Sequence, residues 1–128
     1  GAVVGAEMSG TKIGGPVEGR HILFPDPMGA TGSSICQAIE YYSQSLDGKP
    51  GPIIPMNLIV TPQYIRALTQ AFPDAKLYAL RLDRGLSAPD VLATKPGERW
   101  DEETGLNAHD YIVPGGGGFG ELINNALV

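Results

Sequence analysis

Apolar and polar positions follow two different periods along this chain, and the switches between them mark its elements. His21-Ile22-Leu23-Phe24 is a short apolar run stopped by Pro25-Asp26-Pro27. That is the form of a buried parallel strand, because the two prolines cannot donate to a continuing ladder. From Ser33 or Ser34 onward, Ile35, Ala38, Ile39, Tyr42 and Leu46 recur every three or four positions. This spacing predicts an amphipathic helix with a serine near its cap, ended by Asp47-Gly48-Lys49-Pro50-Gly51-Pro52. Met56 to Val60 predicts a second buried strand. Thr61-Pro62 then starts a second helix, with threonine at the N-cap, proline in the first turn and Ile65, Leu68 and Phe72 on its inner face. Lys76 to Leu82 alternates and predicts a third strand, with Leu77, Ala79 and Arg81 on one side.

Strand, helix, strand, helix, strand with short connections is the order of an α/β domain with a mostly parallel sheet and flanking helices. The pattern is weaker at the margins. Residues 1–8 read as a strand and 9–19 as a Gly-rich turn. Residues 83–109 show no period and read as a long surface loop or flap. Tyr111-Ile112-Val113 reads as a last short strand running into Pro114 and four glycines, with a terminal helix over 119–127. The 128 residues fit one domain spanning 1–128.

Composition narrows the function classes. Leu, Ile, Val and Phe make up a quarter of the chain, enough for a core. The 18 glycines and 11 prolines cluster near 1–19, 48–55 and 114–120 instead of repeating, which argues against solenoids and linkers. The net charge of −5, with no basic block, argues against a nucleic-acid or anionic-membrane partner held by counterion release. No apolar run approaches the length of a membrane span. A lone Cys36 makes no internal disulfide, so the expected compartment is the cytoplasm.

The chemistry concentrates at the first strand-to-helix turn, Asp26-Pro27-Met28-Gly29-Ala30-Thr31-Gly32-Ser33-Ser34. In open α/β sheets such turns, beyond the carboxyl ends of the strands, hold ligands. Small residues let backbone N–H groups close around phosphate oxygens, Thr31, Ser33 and Ser34 add hydroxyls, and the helix N-terminus favours an anion. Asp26 would repel that phosphate unless it faces something else, such as two vicinal hydroxyls. Phosphate on one side and a diol on the other describe a ribose 5-phosphate.

The run from Ile22 to Ser34 resembles the PRPP-binding loop of the uracil phosphoribosyltransferases, an apolar strand followed by D-P-M-L-A-T-G-G-S. A second match follows about eighty residues later. Gly105-Leu106-Asn107-Ala108-His109-Asp110-Tyr111-Ile112-Val113-Pro114-Gly115 is similar to that family's L-N-x-x-G-Y-I-V-P-G, which opens its uracil-binding loop. The resemblance implies a type I phosphoribosyltransferase fold, Rossmann-like, seen as its carboxyl-terminal portion. It also implies transfer of 5-phosphoribose from PRPP to N1 of uracil, giving UMP and pyrophosphate, with Mg²⁺ carried on the pyrophosphate. Asp26 would bind the ribose hydroxyls as the catalytic residue, and Ala30, Thr31, Gly32, Ser33 and Ser34 the 5-phosphate, with Pro27 and Met28 beside them. Over the base loop 111–120, Ile112, Gly117 and Phe119 would read uracil through their backbone, with Gly118 between them and Tyr111 packing alongside. Two alternatives stand beside this: a non-catalytic PRPP or nucleotide-binding regulatory domain, and a phosphoribosyltransferase for another base.

Three departures from the family pattern matter. After P-G the family continues G-x-G-D-x-G-D-R, whereas Gly118 stands where the first Asp would be and Glu121 where the second would be. Residues 84–104 look inserted. The family's amino-terminal portion, with its pyrophosphate loop and arginines, has no counterpart here, so a homo-oligomer or a companion chain carrying that half is expected. Other residues read as scaffold. Cys36 reads as a small core residue, His21 and His109 as surface or structural, and Asp101, Glu102 and Glu103 as solvated. Lys12, Arg66, Arg81 and Arg84 are phosphate-binding candidates among which spacing does not choose.

Overall fold

The computed structural model describes residues 15–44 and 47–117. The expected strand over 1–8, part of the 9–19 turn, the helix over 119–127, and Gly118 and Phe119 of the base loop lie outside the described residues.

The element order is β1 (Ile22–Pro25), β2 (Met28–Gly29), α1 (Ser33–Gln44), β3 (Ile53–Val60), α2 (Pro62–Ala71), β4 (Tyr78–Leu82) and α3 (Pro89–Leu92), followed by a 3₁₀ turn over Trp100–Glu102. All strand pairs are parallel. β1 and β2 both pair with β3, and the partner lies 31 positions later in each, Ile22 with Ile53 and Met28 with Ile59. The two are therefore one row of the sheet interrupted at Asp26-Pro27. β4 pairs with β3 on its other side, leaving β3 central among the three rows that the described residues form. β3 starts at Ile53, three residues before the expected Met56, because Ile22 and Leu23 give Ile53 and Ile54 partners that local pattern does not reveal.

Helices α1 and α2 cover the same face. Ile35 and Ile39 of α1, Val60 of β3, and Tyr64 and Leu68 of α2 form the buried cluster, with Phe24, Cys36 and Leu82 packed against it. α2 begins as its sequence dictates, the Thr61 hydroxyl accepting from the Tyr64 amide at 3.0 Å with Pro62 in the first turn. The opposite face is apolar and open. Leu23, Met56, Leu58, Tyr78 and Leu80 are all exposed, Leu80 by 83%, and no described element lies over them. Met56 stands beside Tyr78 in register, and Leu58 falls beside Leu80, giving apolar rows across β3 and β4. Parallel sheets are ordinarily covered on both faces, so this surface is built for burial.

Two sequence expectations change here. Ala79 and Arg81 do not form a buried side of β4: both are exposed on this edge row, and Leu82 is the residue of β4 that packs against the helical cluster. Tyr111–Val113 is not a further strand of the sheet. It folds back antiparallel, with a bridge between Leu106 and Ile112 and the Val113 amide donating to the Gly105 carbonyl at 2.8 Å.

The region 83–109 is likewise more than a surface flap. Arg84 donates to the carbonyls of Val91 (3.2 Å) and Leu92 (3.3 Å) and also to that of Thr94, satisfying the end of α3. Its guanidinium lies 3.4 Å from Glu103, whose side chain is fully buried and accepts from the Gly97 amide at 2.7 Å. Glu103 is therefore interior, not solvated as its charged neighbourhood suggests. Arg66 of α2 donates to the carbonyls of Trp100 and Glu103, and Gln63 receives the Gly105 amide at 3.1 Å. Buried polar anchors supply the order that an apolar period does not.

Candidate active site

The turn after β1 is shaped by residues far from it in sequence. Asp26 stands where the strand breaks. Its carboxylate accepts from the Met28 amide at 3.1 Å and its carbonyl accepts from the Asn57 side chain at 2.7 Å. Asn57 is buried and in turn accepts from the Tyr64 hydroxyl at 3.0 Å. Gly29 lies flat against that tyrosine, where a Cβ would come within 2.8 Å of the ring. The Thr61 hydroxyl bonds the Ala30 carbonyl, and the Thr61 amide donates to Gly29 at 3.0 Å. Burial pushes the Tyr64 phenol up to about 12, so it stays a neutral donor.

Gly32 adopts φ +87°, and a Cβ there would meet Ala67 of α2 at 2.8 Å. Its carbonyl accepts the first helical bond, from Cys36 at 3.1 Å, which leaves the amides of the first turn of α1 directed outward. The Thr31 hydroxyl bridges to the Ser33 hydroxyl (3.1 Å) and the Ser33 amide (3.3 Å). Asp26, Ala30, Thr31, Ser34 and Tyr64 are among the residues lining a cavity of about 80 Å³. That is space for one small anionic group, not a nucleotide. Met28 lines it too, whereas Pro27 faces a separate apolar groove on the open side of the sheet.

The second motif is held by its own backbone. Asn107 accepts from the amides of His109 (2.9 Å) and Tyr111 (3.1 Å), and Asp110 takes φ +61° to close the hairpin. Val113-Pro114 is cis, and Gly115 and Gly117 have positive φ. The Gly115 amide donates to Asp83 at 2.7 Å and the Val113 carbonyl accepts from Gly85 at 2.9 Å, so the glycine loop is tied to the carboxyl end of β4. Ile112 is buried while Tyr111 is largely exposed.

The two motifs meet. A Cβ on Gly116 would lie 3.7 Å from the Met28 side chain and 3.9 Å from that of Ile59, so the glycine loop rests over the strand end that carries the 26–34 turn. Of the expected residues, Asp26, Met28 and the 30–34 run lie together, with Gly117 on the adjoining loop. Sequence reading misses the supports, Asn57, Thr61, Tyr64 and Asp83. Of these, Asp83 follows a strand directly at the sheet's ligand-binding edge, a signal available from topology. Among the arginines, Arg66 and Arg84 serve internal carbonyls, while Arg81 remains half exposed beside Asp83. His21 and His109 are exposed and Cys36 packs against the core, where burial raises its thiol pKa. Among the described residues no three His, Cys, Asp or Glu side chains group as metal ligands, and no helix is long and apolar enough to cross a membrane.

A curated relative, the uracil phosphoribosyltransferase of Mycoplasmoides gallisepticum, is 33% identical over 103 residues, covering 80% of this chain and 40% of the relative. A solved protein structure from Aquifex aeolicus superposes with a TM-score of 0.63 at 21% identity, covering 86% of this chain and 42% of that one, a likeness of fold. The chain thus spans less than half the length of the proteins it matches. The family model for uracil phosphoribosyltransferase matches residues 6–99, which include the turn over 26–34 and strands β1 to β4. On that match, the chain belongs to the uracil phosphoribosyltransferase family.

Proposed function

We propose that this chain carries the ribose-phosphate and base sites of a phosphoribosyltransferase that transfers 5-phosphoribose from PRPP to uracil, giving UMP and pyrophosphate. The observation that carries the reading is the convergence of the phosphate turn and the glycine loop, Met28 against Gly116, at one end of one sheet. In this reading the 5-phosphate sits in the small cavity, held by the amides of the first turn of α1 and by the hydroxyls of Thr31, Ser33 and Ser34. Asp26 takes the ribose hydroxyls. One of its carboxylate oxygens is engaged by the Met28 amide, which fixes the carboxylate at the rim of that cavity. The base lies along the glycine loop, read by the backbone of Ile112, Gly117 and Phe119, with Gly118 in the span and Tyr111 at its rim. Uracil offers an alternating carbonyl, N–H, carbonyl edge that backbone groups can match without side chains.

Mg²⁺ enters as part of the substrate, on the pyrophosphate. The reaction builds positive charge on the ribose and negative charge on the departing pyrophosphate, so orientation and electrostatics supply most of the rate. The open apolar face of the sheet supports a partner: polypeptide equivalent to the unmatched part of the relatives, on this or a companion chain, or a second copy. The compartment proposed is the cytoplasm.

Incubation with PRPP, Mg²⁺ and uracil, followed by chromatography for UMP, tests the reading, with denaturing mass analysis to identify every polypeptide in the sample. UMP that disappears in an Asp26→Ala variant supports it. A sample containing any required partner that makes no UMP but binds PRPP favours the regulatory alternative, and product from another base but not uracil corrects the substrate.

A further inference from the structure

We propose that Asp83 is a positioning residue for the base-recognition loop, holding Gly115 to the carboxyl end of β4, with Arg81 as the cation that holds its carboxylate in place. The inference rests on the reading of the glycine loop as the base site. It starts from a buried charge that the fold alone does not require.

The Asp83 side chain is 1% exposed, and such burial of a carboxylate is costly unless its partners repay it. One oxygen, Oδ2, accepts from the Gly115 amide at 2.7 Å. The other, Oδ1, has no hydrogen-bond donor among the described residues and is met instead by the ion-pair contact of Arg81 Nε. The backbone of the same residue is also committed. Its amide donates to Val60 at 2.8 Å, continuing the sheet, and a Cβ on Gly105 would collide with its carbonyl. Asp83 thus joins the last row of the sheet, the start of the hairpin and the glycine loop at one point.

Arg81 fits this role by position. It pairs in register with Ile59, which pairs with Met28, and these two side chains lie under Gly116. Arg81 therefore belongs to the cross-sheet row on which the loop rests. Its side chain is 53% exposed, so removing it opens no cavity. Gly115 itself has φ +62°, and a Cβ there would collide with the Ile112 carbonyl, a conformation whose amide direction must be fixed from outside. A base read by loop backbone needs donors and acceptors held within about half an ångström, and a charge-assisted bond from a buried carboxylate supplies that.

The test compares UMP with ribose 5-phosphate, which uses the phosphate turn but not the loop. Binding is followed by ¹⁵N-resolved NMR titration, and exchange of the Gly115 amide with deuterium is read in the same samples. In Asp83→Ala, UMP affinity is expected to fall about tenfold or more, with ribose 5-phosphate within about twofold and the Gly115 amide exchanging faster. Asp83→Asn keeps an acceptor for Gly115 and should recover most of the UMP affinity. Equal losses for both ligands, an unchanged UMP affinity, or an unchanged Gly115 exchange rate would each overturn the proposal. Should Asp83→Ala fail to fold, Arg81→Gln decides, with an expected loss of about threefold for UMP alone. If the unaltered chain binds UMP no better than ribose 5-phosphate, the base-site reading itself is refuted, and this inference with it.

Discussion

Gly32 is where the phosphate turn is most exposed to a single added methyl group. Replacing it with alanine sets two costs against the fold. Its φ of +87° lies in the region that L side chains avoid, a penalty of roughly 1–2 kcal/mol. The new Cβ would also stand 2.8 Å from the Ala67 Cβ and 3.3 Å from the Tyr64 carbonyl, neither of which is the free end of a flexible chain. Overpacking of that kind costs about 1–3 kcal/mol. The sum is about 3 kcal/mol, with ribose 5-phosphate binding falling because α1 must move off α2. A double-mutant cycle separates the terms. Ala67→Gly carries its own helix penalty of about 1 kcal/mol, but in its presence the clash with the Ala67 Cβ is gone while the φ part and the contact with the Tyr64 carbonyl stay. Urea denaturation of the four proteins should therefore give a coupling of about 1–2 kcal/mol. Additivity to within about 0.5 kcal/mol would show that the Gly32–Ala67 contact does not set the turn. The bulkier Gly32→Val should abolish phosphate binding.

Further outcomes follow from the same geometry. Asp26→Asn keeps an oxygen for the Met28 amide, so stability should change by less than about 0.5 kcal/mol while PRPP affinity drops about tenfold; unchanged affinity in a calorimetric titration removes Asp26 from the ribose site. The Tyr64 phenol is pushed from 10.0 up to about 12, so the folded state holds its proton longer than the unfolded chain does. Stability from this group is intact below about pH 10 and is lost as pH rises toward about 12. Urea midpoints of the unaltered chain should therefore decline more steeply over that window than those of Tyr64→Phe, and parallel curves would contradict the burial argument. Arg84→Met strands the Glu103 carboxylate in the interior and should cost about 3–5 kcal/mol, whereas a loss under about 1 kcal/mol in the same assay would mean that Glu103 takes up a proton or finds water.

Much of this molecule is legible from its order of residues. The helix from Ser33 and the one capped by Thr61 carry their periods and punctuation openly, and the small and hydroxyl-bearing residues of Asp26 to Ser34 mark a strand-to-helix turn by composition alone. What escapes is whatever depends on a partner distant in the chain. Glu103 lies in an acidic run that reads as solvent-facing, and only Arg84 and the Gly97 amide make its burial tolerable. Tyr111-Ile112-Val113 has strand composition, but its nearest available edge is residues 105–107, so it closes a hairpin instead of widening the sheet. Asn57 reads as a polar interruption of an apolar strand until Tyr64 and the Asp26 carbonyl arrive to satisfy it. Period reveals faces, whereas buried polar groups are explained only by the contacts that repay them.

The constant register of the interrupted row carries a consequence for how such a chain can vary. Ile22 to Pro25 and Met28 to Gly29 are both stitched to the same neighbour at the same offset, so the two residues between them, Asp26 and Pro27, are a span of fixed length. Adding or deleting one residue there would shift Met28 and Gly29 against Ile59 and Val60, and turn Gly29 away from the Tyr64 ring. The stretch around α3 is held to the rest of the fold largely by side chains, those of Arg66, Arg84 and Ser87 among them, and can absorb changes of length. Relatives of this chain should therefore differ in size there and keep the distance from the first strand to the turn after it unaltered.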